Sequence, residues 1–187
     1  MKKTELYDSH LKLNAKMIDF HGWLLPVSYT DILKEVINTR ANIGLFDISH
    51  MGKFKLTSSS EITSKLNTVF PGKINRMKIS SAVYTQILNS DAGIIDDLVI
   101  YKEDDYCYYI IGNASRLSID FEWIIKNVSS DKILIDNLSE EFSLIAIQGP
   151  KSVDILKDYF KKDVSQISRF CFDIINRNNS EIFLFRT

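Results

Sequence analysis

Apolar positions follow two periods along this chain. Between residues 31 and 41 they fall at Ile32, Leu33, Val36, Ile37 and Ala41, the spacing of one helical face, with Thr30 or Asp31 placed to cap the start and Gly44 the end. The same period predicts helices over 4–13, 58–70, a segment from Ala114 or Ser115 carrying Leu117, Phe121, Trp123, Ile124 and Ile125, and 151–160 behind Pro150. Alternation and short apolar runs predict strands over 15–20, 53–57, 82–88, 94–101, 106–111, 132–136, 142–147, around Ile174 and Ile175, and over 181–186. Residues 21–29, with two aromatics and Pro26, read as a loop. Strands and helices interleave, but the strands are short and hairpin-linked. The pattern is that of an α+β fold with largely antiparallel, mixed sheets and packed helices.

One stretch departs from the pattern. Asn89, Ser90, Asp91 and Gly93 carry turn chemistry, and Ile94, Ile95, Leu98, Val99 and Ile100 then form an apolar strand. Asp96 and Asp97 interrupt it. Neighbours on a strand point to opposite faces, so the two carboxylates cannot share one environment. Burying either without a partner costs several kcal/mol, about 2–7 even for milder polar groups. By itself the dipeptide is read as one solvated Asp and one that accepts hydrogen bonds.

Composition narrows the classes. The chain has 187 residues, 23 Lys and Arg against 24 Asp and Glu, and a net charge of −1. That length supports a core without covalent staples, and the mixed charge gives no basic stripe for nucleic acid. Cys107 and Cys171 have no metal or disulfide spacing and read as reduced thiols of a cytoplasmic protein. The N-terminus lacks a signal-peptide core, and no apolar run approaches the ~20 residues of a membrane span. His10, His21 and His50 have no ligand spacing, so no metal is expected. Gly149-Pro150-Lys151 at a strand-to-helix junction reads as a tight turn, with anion binding at the helix start the less favoured reading.

Several segments together carry a resemblance. They are Asp19-Phe20-His21-Gly22-Trp23-Leu24-Leu25-Pro26, Gly44-Leu45-Phe46-Asp47-Ile48-Ser49-His50-Met51-Gly52, Gly93-Ile94-Ile95-Asp96-Asp97-Leu98-Val99-Ile100, Gly112-Asn113-Ala114 and Ile145-Ala146-Ile147-Gln148-Gly149-Pro150. In this order and register the chain resembles the tetrahydrofolate-dependent aminomethyltransferases, the T-proteins of the glycine cleavage system. Members of that family run to about twice this length, and this chain resembles their N-terminal half. The resemblance implies part of a three-lobed folate-binding fold, with about 1–52 and 114–162 in one lobe and about 53–113 and 163–187 in a second.

The resemblance also implies chemistry. The family moves a one-carbon unit from the aminomethyl-lipoyl arm of the H-protein to tetrahydrofolate, releasing ammonia. Asp97 matches the family's essential carboxylate, leaving Asp96 a structural role. Met51, Tyr84, Val99, Tyr101 and Asn113 match positions lining the folate pocket, and Phe170 stands where the family often has a tyrosine. The expected partners are folate and the lipoylated H-protein, and the expected activity of the chain alone is low. Three other readings stand beside this one: a demethylating domain related to sarcosine- and dimethylglycine-oxidising enzymes, a non-catalytic folate-binding factor for iron–sulfur assembly, and a non-functional remnant.

Overall fold

The computed structural model describes all residues from Met1 to Thr187. In chain order the elements are β1 (Lys2–Lys3), α1 (Tyr7–Lys12), β2 (Lys16–Phe20), β3 (Trp23–Ser28), α2 (Ile32–Ala41), β4 (Gly44–Asp47), β5 (Gly52–Ser58) and α3 (Thr63–Leu66). There follow β6 (Ser81–Leu88), β7 (Ile94–Lys102), β8 (Cys107–Gly112), α4 (Leu117–Val128), β9 (Ile133–Asn137), β10 (Ile145–Gln148), α5 (Ser152–Phe160), β11 (Cys171–Arg177) and β12 (Ser180–Arg186). The strands pair antiparallel except for the short β1–β3 contact, as an α+β fold requires.

The chain divides into two compact units: Met1–His50 with Glu140–Gln166, and Met51–Ser139 with Ile167–Thr187. Residues 114–139, carrying α4 and β9, group with the second unit rather than with the first 50 residues.

The first unit holds a three-stranded sheet, β1-β3-β2, and a β10-β4 pair. The segment 21–29, read from sequence as a loop, contains strand β3. Pro26 is tolerated because β1 pairs only with Trp23 and Leu24, so at Pro26 the far edge of β3 needs no N–H donor. Asp31 caps α2 by accepting a hydrogen bond from the Lys34 amide at 2.9 Å. Gly149, at φ +117°, lies so close to α2 that a Cβ would come within 2.5 Å of the Thr39 carbonyl. The next amide but one, Lys151 N–H, donates to the Asn42 carbonyl at 3.0 Å. This junction is therefore a packing turn, with an N-terminal donor of α5 already engaged.

A buried polar network ties this unit together and explains the mixed Leu45–Gly52 motif. Asp47 accepts hydrogen bonds from Thr4 Oγ1 at 2.6 Å, His10 Nε2 at 2.8 Å and the Ser49 amide at 2.9 Å. Nε2–H donates to the carboxylate, and Nδ1 of the same ring is hydrogen-bonded to the Tyr29 hydroxyl, 2.7 Å away. Burial pushes the Asp47 carboxyl up, but the bonds from His10, Ser49 and Thr4 outweigh it and hold the group below its ordinary range. Apolar burial in the unit is sparse: only Leu25 and Val164 are buried hydrophobics, and Ile32, Leu33, Val36 and Ile37 of α2 are all exposed.

The second unit contains the hydrophobic core. Its sheet runs β12-β11-β6-β7-β8-β5-β9. Phe54, Leu56, Ile87, Leu98, Ile100, Tyr108 and Ile110 point to one face and pack with Ile62, Leu66, Val69, Phe70, Ile74 and with Ile124 and Val128 of α4. The helix expected over 58–70 shortens to Thr63–Leu66, because Ser58 still pairs with Ile133 at the end of β5. The hairpin between β6 and β7 turns as expected, with Asn89 Oδ1 accepting the amides of Asp91 and Gly93 at 3.0 and 2.7 Å. The residue that adopts positive φ there is Ala92, at 60°, in place of the expected Asn or Gly.

Candidate functional site

The face of the large sheet opposite the core carries most of the predicted residues. Register places them in rows. Ala82, Tyr101, Tyr109 and Lys55 face one another across β6, β7, β8 and β5. Tyr84, Val99, Ile111 and Lys53 form the next row, and Gln86 and Asp97 begin a third. Asn113 and Met51 directly follow and precede the paired glycines Gly112 and Gly52, so the third row extends toward them.

The β11–β12 hairpin brings aromatic rings to the first row. Phe185 lies 4.1 Å from the Tyr101 ring and Phe183 lies 5.1 Å from Tyr109, centroid to centroid. Phe172 completes the cluster, 6.0 Å from Tyr101. Burial pushes the hydroxyls of Tyr101 and Tyr109 up to about 12, so both rings are neutral at any physiological pH. Tyr84, one row further along, is 54% exposed. The result is a surface with an aromatic wall at one end and an open polar end at Tyr84 and Asp97.

Asp96 and Asp97 point to opposite faces. Asp97 shares its side with Val99 and Tyr101, and its Oδ2 accepts the Tyr84 hydroxyl at 2.7 Å. Tyr84 pairs with Val99, so this is a diagonal cross-strand contact. The hydrogen bond to Asp97 is the main reason the Tyr84 hydroxyl holds its proton more tightly than usual. Asp96 shares the core face with Leu98 and Ile100. Its Oδ1 accepts Asn113 Nδ2 at 3.0 Å, and the same Nδ2 donates to the Asp97 carbonyl at 3.0 Å. Asn113 thus clamps the two-aspartate segment from the neighbouring strand.

Met51 sits at the entry to β5, where its carbonyl accepts Lys53 Nζ at 3.1 Å. Phe170 precedes β11 at φ 55°, an unfavourable conformation for a bulky side chain. Two backbone bonds hold it: its amide donates to Arg186 at 2.6 Å and its carbonyl accepts from Ala82 at 2.7 Å. Phe170 therefore adjoins the site strand β6 at its Ala82 end and has no hydroxyl to offer.

Sequence reasoning missed Asp120, Arg116 and the ring wall from β11–β12. Asp120 is completely buried on α4, on the same stripe as Ile124 and Val128. It packs against Asp96, and burial first, then Asp96, pushes its carboxyl up to about 8. Arg116, just before α4, donates from Nη2 to the Ile95 carbonyl at 3.2 Å. The signal for Asp120 was available: it lies at i−4 from Ile124 and i−8 from Val128, a polar residue on an apolar helical stripe.

Comparison with known proteins places this arrangement in a family. The GCVT N-terminal domain profile matches residues 6–184. An aminomethyltransferase of Thermoanaerobacter sp. (strain X514) is 37% identical over 172 residues, covering 92% of this chain and 46% of that protein. The aminomethyltransferase of Thermotoga maritima is 36% identical over 172 residues, covering 92% of this chain and 47% of its own length. Among solved structures, the glycine cleavage system aminomethyltransferase T of Bartonella henselae matches with a TM-score of 0.84 at 31% identity, over 91% of this chain and 46% of that one. The heterotetrameric sarcosine oxidase of Corynebacterium sp. U-96 matches with a TM-score of 0.58 at 8% identity, over 83% of this chain and 78% of that chain, a likeness of fold alone. No helix is long and apolar enough to cross a membrane. The chain spans about half the length of the aminomethyltransferases it matches, and it belongs to the GCVT N-terminal domain family.

Proposed function

We propose that this chain supplies the folate-binding face of an aminomethyltransferase of the glycine cleavage system. In this reading the aminomethyl group arrives on the lipoyl arm of an H-protein. Its carbon passes to tetrahydrofolate, giving methylenetetrahydrofolate, ammonia and the reduced lipoyl dithiol. The observation that carries the reading is the placement of Asp97, fixed by Tyr84 on the solvent-open side of the sheet beside Val99 and Tyr101.

The surface fits a pterin. Val99 offers a small apolar floor, and the exposed Tyr84 ring offers a flat face for stacking. Asp97 can accept the N–H edge of the ring, with Tyr84 holding one carboxylate oxygen. A carboxylate so placed stabilises positive charge that develops on the one-carbon unit and can relay a proton at the folate amine. Asn113 keeps the Asp97 backbone in register, and Met51 and Phe170 border the surface. Phe170 lacks the hydroxyl that a tyrosine would contribute.

Tetrahydrofolate added to the isotopically labelled chain should shift the amide resonances of Tyr84, Asp97, Val99 and Tyr101, leaving those of Leu56 and Ile124 unchanged. Saturable shifts confined to another surface would overturn the assignment. Turnover by the chain alone, in a reconstituted glycine-cleaving mixture, should be low, because the relatives it matches carry as much sequence again.

A further inference from the structure

Behind Asp97, on the core face, two acids meet without a donor between them. Asp96 Oδ2 and both carboxyl oxygens of Asp120 are buried, and no N–H or O–H group reaches any of the three. Asp120 is completely buried, on the α4 stripe that carries Ile124 and Val128. Gly112 of β8 borders Asp120, since a Cβ there would meet Asp120 Oδ2 at 3.4 Å, an ordinary contact distance. Two ionised carboxylates facing each other in such a place would repel, with Asp120 wholly unpartnered and Asp96 held only through Asn113. One proton between them removes both problems, because a protonated carboxyl is a donor as well as an acceptor.

We propose that Asp120 is a positioning residue: a buried carboxylic acid that donates its proton to Asp96 and through it locks the Asn113 clamp behind Asp97. The chain of contacts is short. The Asp120 O–H serves Asp96, Asp96 Oδ1 accepts Asn113 Nδ2 at 3.0 Å, and that same Nδ2 donates to the Asp97 carbonyl at 3.0 Å. Asp120 touches no folate in this arrangement. The positioning role rests on the reading of Asp97 given above, whereas the shared proton stands on the geometry of the pair.

The groups acting on Asp120 are Asp96 and Asp97 of β7 and Arg116 at the start of α4. Burial and the hydrogen bond and charge of Asp96 raise its affinity for the proton, Arg116 lowers it, and Asp97 raises it slightly, leaving the acid with a midpoint of about 8. Unfolded, the same carboxyl titrates near an ordinary aspartate, about 3.9. Its folded value is raised, so the stability it contributes is complete below the unfolded value. That stability falls as pH rises and is lost by the folded midpoint.

The test uses the full chain labelled with carbon-13 at the aspartate carboxyls and nitrogen-15 at asparagine side chains. One aspartate should remain protonated at pH 7 and titrate near pH 8, and the Asn113 side-chain amide should shift with the same midpoint. Asp120→Asn should abolish that titration and the accompanying Asn113 shift, and should flatten the dependence of melting temperature on pH between 5 and 8. Asp97→Asn should leave the protonated signal in place. The wild-type spectrum alone decides the main point, so a variant that fails to fold does not rescue the proposal. A chain with every aspartate ionised at pH 7 overturns it. So does an Asn113 amide that ignores the titration. Neither readout needs folate, so a failure of folate binding overturns the proposed function without being confused with failure of the acid pair.

Discussion

Replacing Asp97 by asparagine separates the two aspartates most sharply. The change keeps the shape of the side chain and leaves an oxygen able to accept the Tyr84 hydroxyl, now 2.7 Å from Oδ2. It removes the charge and exchanges one acceptor oxygen for an NH2 donor. Asp97 faces an open surface, so its loss should hardly disturb folding, by less than about 1 kcal/mol. A hydrogen bond from a pterin N–H to a charged carboxylate contributes about 1.5–3 kcal/mol, so tetrahydrofolate affinity should fall about 10- to 150-fold. Asp96→Asn should behave differently. Its oxygen can still accept Asn113, and its new amide can donate to Asp120, so folate affinity should stay within about threefold while stability responds. The assay is quenching of tyrosine fluorescence by tetrahydrofolate, with thermal melts run on the same samples. If Asp96→Asn abolishes binding and Asp97→Asn leaves it intact, the assignment of faces to functions is wrong.

Two further outcomes follow from the first unit. Asp47→Ala strands the donors of Thr4, His10 and Ser49 in a buried site and should destabilise the chain by about 3–5 kcal/mol, measured by urea unfolding. The Asp47 carboxyl is held below its ordinary range, so the stability it contributes should be present above about pH 4 and lost as pH falls through its folded value; a melt unchanged at acid pH would contradict this. Because Leu25 and Val164 are the only buried hydrophobics of that unit and the α2 face is exposed, its amides should exchange with solvent faster than those of β7 and β8. The chain should also bind a hydrophobic dye such as ANS, and Leu33→Glu with Ile37→Glu should reduce that signal.

Much of the second unit was legible because its strands obey a period of two. Leu98 and Ile100 share parity with Asp96, while Val99 and Tyr101 share it with Asp97, so the sheet's two sides are distinguishable from the sequence. Failures arose where a local signal competed with a distant one. Pro26 suggests a loop, yet the strand survives because β1 is too short to need that N–H. Leu66, Val69 and Phe70 are all buried, as their pattern implies, but only Thr63–Leu66 is helical, since burial does not dictate conformation. The α2 stripe predicted a helix correctly and suggested burial that the first unit does not provide.

The hardest feature to read was the pairing behind the site. Strand parity sends Asp96 inward, and an inward carboxylate must find donors. Asn113 supplies one, just beyond the paired Gly112, and a hairpin pattern could anticipate it. The second partner is another acid, which no rule of opposite charges would select. It becomes visible only when α4 is scanned for the polar member of its buried stripe: Asp120 precedes Ile124 and Val128 by one and two helical steps of four. Two acids, each anomalous in its own element, resolve each other once a proton is placed between them. Polar residues on apolar stripes are therefore better read in pairs, across elements, than one at a time.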